Sequence, residues 1–202
     1  MYEGQHGFRP GYSCESQVIT VYQDIADVLD NGDRIDAIIV DFSKAFELVP
    51  HGRMLVKIAN SGVDARVVAW MREFLLGRMQ RVRVRGELSE VRLTSGVPEG
   101  IVLGPLVFLA YVNDIGRNIK STIRLFADDC VIYRKITKDE DMINLQGDVD
   151  RLGEWAVVNA MKINPSKSKA ACLTRARVKD PLNYSLMGTL IPKTKRCKHL
   201  LT

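Results

Sequence analysis

Apolar positions along the chain switch between two periods, and each switch marks an element. Val18, Val21, Tyr22, Ile25, Val28 and Leu29 recur at three- and four-residue spacing, the stripe of a helix over 13–29. Ser13 can cap its start, and Asn31-Gly32 can end it. Ala37-Ile38-Ile39-Val40 is then continuously apolar and largely β-branched, which predicts a strand buried on both faces. Asp41 closes that strand, where a carboxylate is costly without a partner. Two helical stretches follow, about 53–59 and 65–76, with Gly62 as the break. Gln80-Arg81-Val82-Arg83-Val84-Arg85 alternates strictly. With a Gly86-Glu87 turn into 88–93 it predicts a hairpin bearing one valine face and one arginine face.

The second half repeats the mixture. Ser95-Gly96-Val97-Pro98-Glu99-Gly100 is turn-rich and leads into a helix over about 105–119, with Pro105 in the first turn. Ile123 to Phe126 and Cys130 to Tyr133 are strand-like runs that flank Asp128-Asp129, a two-residue acidic step that predicts a hairpin tip. A long helix over about 138–161 carries Met142, Leu145, Val149, Leu152 and Trp155 on one core-facing stripe. A last strand near 170–173 gives way to a weakly patterned tail with Lys and Arg. Hairpins interleaved with helices predict an α+β fold, an antiparallel sheet with helices on one face.

Bulk properties narrow the function classes. The 202 residues suffice for one domain with a real core, and 46% apolar content without low-complexity tracts excludes a disordered chain. The longest apolar stretch, 101–112, is broken by Gly104-Pro105 and is too short to span a bilayer, so no membrane association is expected. The first residues lack the cationic and apolar regions of a signal peptide. Cys14, Cys130, Cys172 and Cys197 form no Cys-x-x-Cys pair, which predicts reduced thiols in an intracellular protein, nuclear or cytoplasmic, and no zinc site. A net charge of +5 permits a nucleic-acid partner without requiring one.

Candidate chemistry centres on carboxylates. Asp41 at a strand end and Asp128-Asp129 at a hairpin tip are the inventory of a two-metal phosphoryl-transfer site, in which bridging cations relieve the repulsion between acids. An isolated Asp-Asp reads equally as a solvated turn. The arginine face of the hairpin reads equally as a charged edge that blocks aggregation.

The motifs in order carry a resemblance. Gln5-His6-Gly7-Phe8-Arg9-Pro10-Gly11-Tyr12-Ser13, Asp41-Phe42-Ser43-Lys44-Ala45-Phe46-Glu47-Leu48-Val49-Pro50-His51, the Ser95–Leu106 loop and helix start, Phe126-Ala127-Asp128-Asp129, and Trp155 with Asn159-Ala160-Met161 and Asn164-Pro165-Ser166-Lys167 follow one another. Together they resemble the reverse transcriptase domain of non-LTR (LINE-type) retrotransposons over most of the chain. Group II intron maturases share the chemistry, but the Phe-Ala-Asp-Asp box and Val-Pro-His favour the non-LTR side. The resemblance implies a polymerase palm with an antiparallel sheet backed by helices and partial fingers. The expected reverse transcriptase domain is 1–175, with fingers at about 1–35 and 53–95 and palm at about 36–52 and 96–175. The tail 176–202 approaches a primer-grip segment, and the thumb is expected to be absent.

It also implies roles. Asp41, Asp128 and Asp129, with the Phe42 carbonyl, would bind two Mg2+ ions, for which Mn2+ can substitute. Lys167 would act near the leaving pyrophosphate, and Phe46 would exclude a ribose 2′-hydroxyl. Gly96, Pro98, Glu99 and Gly100 would lie beside the nucleotide, and Gly96 and Gly100 read equally as turn glycines. Arg9 and the face of Arg81, Arg83 and Arg85 would meet the template or primer. The implied substrates are an RNA template, a DNA primer and deoxynucleoside triphosphates. The chain departs from the pattern at Glu99, where Gln is usual, at Ile101, at Glu47 and at Leu201. These departures leave open an active domain, a catalytically inactive remnant, and a nonenzymatic RNA-binding module.

Overall fold

The continuous apolar run is strand β1 (Arg34–Val40), and it is buried because it is interior. In the computed structural model, which describes residues 1–98, 100, 102–176 and 183–194, β1 lies between β5 (Asp129–Ile136) and β6 (Lys169–Leu173). Strand β4 (Thr122–Phe126) completes the order β4-β5-β1-β6, and every pairing is antiparallel. Residues 1–43 and those from 113 onward make one compact unit, and 44–112 make a second.

Register divides the sheet of the larger unit into two faces. Ile35, Ala37, Val131 and Tyr133 are buried on one, packed against Ile25 and Val28 of helix α1 (Cys14–Asp30). Ser13 caps α1 through a capping box with Ser16, worth about 1 kcal/mol. The alternate residues of β1, Asp36 and Ile38, face the other way, toward helix α5 (Asp139–Val158) with its buried Leu145, Val149 and Leu152. Helices therefore cover both faces rather than the one expected from sequence.

Two carboxylates inside this unit are fully paired. Asp36 accepts two 2.7 Å bonds from the Arg34 guanidinium and a third, also 2.7 Å, from the Tyr184 hydroxyl. Burial, and then the bond to this carboxylate, push the Tyr184 hydroxyl pKa well up. Asp148 on α5 accepts from the Ser121 amide at 2.8 Å, the Ser121 hydroxyl at 2.7 Å and Arg151 at 2.6 Å. Burial would raise its pKa, but the bonds from Ser121 and Lys120 and the Arg151 charge outweigh burial and hold it below the usual carboxylate value.

The β4–β5 turn falls one residue earlier than the sequence suggests. Phe126 pairs with Asp129, so Ala127-Asp128 form the loop and Asp129 opens the strand. Ala127 takes φ +56°, a strained value for a residue with a Cβ. Gln5 compensates. Its buried amide donates to the Ala127 carbonyl at 3.0 Å and accepts from the Ala127 and Gly7 amides at 2.9 and 2.8 Å. A Cβ on Gly7 would lie 2.3 Å from the Ala127 nitrogen, so only glycine fits where this segment crosses the tip.

Helix α4 (Leu103–Val112) stops short of the expected 119. Asn113 instead accepts from the Tyr2 amide, and Asp114 accepts from the Trp155 indole at 3.0 Å. Side chains of this kind compete with helix continuation. The tail expected to be weakly patterned folds over 183–194 into β7 (Ser185–Leu186) and β8 (Thr189–Leu190), with Tyr184, Leu186 and Ile191 buried. The primer-grip-like 198–202, Cys197, Glu99 and Ile101 lie outside the described residues.

In the second unit α2 (His51–Asn60) packs against both α3 (Ala65–Leu75) and α4, and β2 (Met79–Val84) pairs with β3 (Glu87–Arg92). The hairpin turns at Arg85-Gly86, both at positive φ, a pattern suited to a two-residue loop. Among the described residues no helix is long and apolar enough to cross a membrane.

Two expectations follow from the paired carboxylate and the tip clamp. Asp148→Ala should lower unfolding free energy by roughly 3–5 kcal/mol in urea titration. Because the folded pKa is depressed, this contribution is present above the unfolded value, about 3.9. The gap to wild type should therefore shrink as pH falls through the lower folded value. Gln5→Leu should cost roughly 3 kcal/mol by leaving three amide-group partners unsatisfied. Gly7→Ala should also destabilise, and both should speed hydrogen exchange at the Ala127 amide.

Candidate active site

Strand register brings the acidic residues together. Val40 pairs with Cys130, so one further step places Asp41 opposite Asp129, with Asp128 beside it in the turn. Partial burial raises the pKa of Asp128, its own backbone hydrogen bond opposes this, and the Asp41 charge adds to the rise. Burial likewise raises Asp129, followed by the charges of Asp128 and then Asp41. Among the described residues no three His, Cys, Asp or Glu side chains stand as a ready-made metal-ligand set. Donor chemistry is the basis for a fit. All three groups offer oxygen, the donor that hard dications prefer, and each acid would be eased by a neighbouring cation.

A second segment fixes Asp41 from the far side of β1. Its amide donates to the Ser168 hydroxyl at 3.1 Å, and its carbonyl accepts from the Asn164 amide at 2.9 Å. The fully buried Ser168 in turn donates to the Asn164 carbonyl at 2.9 Å. Asn164 also folds the loop that carries Lys167 by accepting from the Ser166 hydroxyl at 2.7 Å. Lys167 thereby lines a cavity of about 310 Å³, shared with Asp41, Asp129 and Lys169. Arg124, on the same cavity, is held by Asp24 at 2.8 Å, and Tyr133 donates to that carboxylate too.

The other expected residues are placed as follows. Phe42 is buried and meets Trp155 edge-on at 6.4 Å. Phe46 is half-buried and stacks on Phe108 at 4.1 Å. Gly96 takes φ +90° with Glu47 so near that a Cβ would lie 3.0 Å from its carbonyl, and His51 bonds the Gly96 carbonyl at 2.8 Å. The Pro98 carbonyl sits against the start of α4, where a Cβ on Gly104 would meet it at 2.2 Å, whereas Gly100 has open space. Glu99 lies outside the described residues.

Arg9 donates to the carbonyls of Tyr2 and Gln5 and covers the Tyr12 ring at 4.3 Å. It braces its own loop. Both strands of the arginine hairpin are exposed, and Glu90 pairs with Arg81 at 2.6 Å, so the charge of that face is partly neutralised. Sequence reasoning missed Ser168 and Gln17. Ser168 sits in an unremarkable Lys-Ser-Lys, and Gln17 is a polar residue within an apolar helical stripe, which is a weak signal of burial.

Comparison with known proteins identifies the family. The chain is 31% identical over 205 residues to the probable RNA-directed DNA polymerase from transposon X-element of Drosophila melanogaster, covering 98% of this chain and 22% of that protein. It is 28% identical over 206 residues to the RNA-directed DNA polymerase from mobile element jockey of Drosophila funebris, covering 97% and 22%. The chain thus spans about a fifth of the length of these curated relatives. Among solved structures, apo telomerase from Candida tropicalis, truncated from its C-terminal domain, superposes with a TM-score of 0.66 at 10% identity. That match covers 92% of this chain and 38% of the other, and it supports the palm-type fold alone. Residues 1–200 match the reverse transcriptase (RNA-dependent DNA polymerase) family, and the chain belongs to that family.

Proposed function

We propose that this chain carries the catalytic palm of an RNA-directed DNA polymerase, transferring deoxynucleotides to a primer 3′-hydroxyl on an RNA template. One observation carries the reading: the β1–β5 register that sets Asp41 opposite Asp129, beside Asp128. Reverse transcriptases generally use divalent metal ions. Here Asp41, Asp128 and Asp129, with the Phe42 carbonyl, would hold two Mg2+ ions, or Mn2+ in their place. Bound there, the ions would supply Lewis acidity toward the 3′-hydroxyl and the triphosphate.

The chain's own residues do the rest. Ser168 and Asn164 hold the Asp41 backbone, and Gln5 holds the turn that carries Asp128. Lys167 shares a cavity with Asp41 and Asp129, a position from which it would offer charge or a proton to the departing pyrophosphate. Phe46, braced by Phe108, would block a ribose 2′-hydroxyl. Gly96, Pro98 and Gly100 would form the nucleotide-side loop, while Arg9, Arg81, Arg83 and Arg85 would contact template or primer phosphates. In this reading 1–35 and 53–95 are partial fingers, 36–52 and 96–175 are palm, and the protein acts inside the cell. Glu99 supports a second reading, a catalytically weakened copy, because a carboxylate beside a triphosphate repels it and lacks an amide donor.

Primer extension on an RNA template with Mg2+ tests these readings. Wild type should extend, and Asp128→Asn should fall to background. Lys167→Ala should slow extension on the order of 10²-fold, and Phe46→Ala should admit ribonucleotides. Glu99→Gln should raise the rate. No extension by wild type or Glu99→Gln, with RNA binding retained, would refute the polymerase reading in favour of a binding module.

A further inference from the structure

We propose that the cleft between α2 and α3 binds a small amphipathic acid, an alkyl chain ending in a carboxylate, with its head at Arg72 and Arg92. The cleft lies wholly within the second unit, shares no lining residue with the cavity at Asp41 and Asp129, and does not rest on the polymerase reading. It holds about 590 Å³, within the range of ligand pockets. Leu55, Val56, Val68, Leu75, Leu76 and Leu93 line it. Val56 and Leu76 are 60% and 55% exposed, so apolar surface is left facing water at a cost that a bound tail would remove.

The frame of the cleft is preformed. Pro50 bridges Ser95, the His51 ring bonds the Gly96 carbonyl at 2.8 Å, and the Leu93 amide donates to the Arg78 carbonyl at 2.9 Å. The start of α2 and the end of α3 are therefore both tied to 93–96, which closes one end. Segment 61–64 joins the two helices, so Ala59 and Val68 mark the other end. From His51 to Ala59, α2 runs about 12 Å, room for an alkyl chain laid along the groove.

Charge selects the ligand. Arg72 and Arg92 line the cleft, and no acid does. Among the described residues neither arginine has an acidic side chain within ion-pair distance. Guanidinium forks suit a carboxylate, and apolar walls suit an uncharged tail. The cavity at Asp41, by contrast, carries both signs of charge. Both arginines stand toward the closed end, Arg72 a turn before Leu76 and Arg92 beside Leu93. The head therefore sits there, and the tail runs past Leu55 and Val56 toward Ala59.

Decanoate, kept below its micellar range, is the probe. In the full chain it should shift the methyl NMR signals of Leu55, Val56, Val68 and Leu93 and leave those of the larger unit unmoved. Its dissociation constant should be on the order of 0.1–1 mM. Affinity should climb severalfold with each added pair of methylenes from hexanoate and level off beyond decanoate, where the groove ends. Decanol should bind at least tenfold more weakly, and Arg72→Gln combined with Arg92→Gln should erase that preference. Both arginines are exposed, so the double variant should keep the wild-type melting temperature. Val56→Glu, also at an exposed position, should abolish binding by placing a like charge on the path of the tail. Asp128→Asn should bind decanoate as wild type does even where extension is lost, which separates failure of this proposal from failure of the polymerase reading. Decanol or acetate matching decanoate, unchanged affinity in the double variant, or no methyl shifts at millimolar decanoate would each overturn the proposal. So would an acidic amphipathic helical peptide binding more than a hundredfold tighter than decanoate, which would mark a groove for a protein partner.

Discussion

Pairing of Val40 with Cys130 determines where the acidic groups of the larger unit fall. Side chains alternate along a strand, so a slip of one residue would turn Asp129 to the α5 face and Cys130 to the α1 face. Burial enforces the observed register. Ile38 and Ile132 pair directly, both fully buried, and each such side chain contributes roughly 1.5–3 kcal/mol that a slipped register would lose. The apolar core thus fixes, at its edge, a contact that electrostatics alone would oppose.

That opposition explains the supports around the site. None of them contacts the acids through their charged oxygens. Gln5 holds the backbone of Ala127, Ser168 holds the amide of Asp41, and the Asn164 amide holds its carbonyl. Anchoring by main chain leaves the carboxylates available for another partner. It also accounts for Gly7 and for the left-handed Ala127, since the clamp needs two backbones in contact at a turn.

Much of this was legible in the sequence, and the rest was hidden for physical reasons. The buried run of β1, the α1 stripe with its Ser13 cap and the arginine hairpin follow from periodicity and local chemistry, which act within a few residues. Acidic candidates could be named because a carboxylate closing a buried strand is anomalous by itself. The turn was misplaced by one residue because the clamp that sets it comes from Gln5, 122 positions away. Asp148 and Ser168 were invisible for the same reason. Their partners lie on other elements, and a single polar residue amid apolar ones does not announce which contact will satisfy it. Helix α4 ran short of its prediction because Asn113 and Asp114 are engaged by Tyr2 and Trp155.

The treatment of negative charge distinguishes support from chemistry. Asp36 and Asp148 are sealed by guanidinium, hydroxyl and amide donors, and Asp24 is matched by Arg124. Asp41, Asp128 and Asp129 have no cation within ion-pair distance among the described residues, although lysines line the cavity beside them. A fold that neutralises its other interior acids has sequence means to neutralise these. Leaving them unmatched keeps a concentrated negative edge at a cost in stability, and such a cost is retained where the charge is used on something bound from outside.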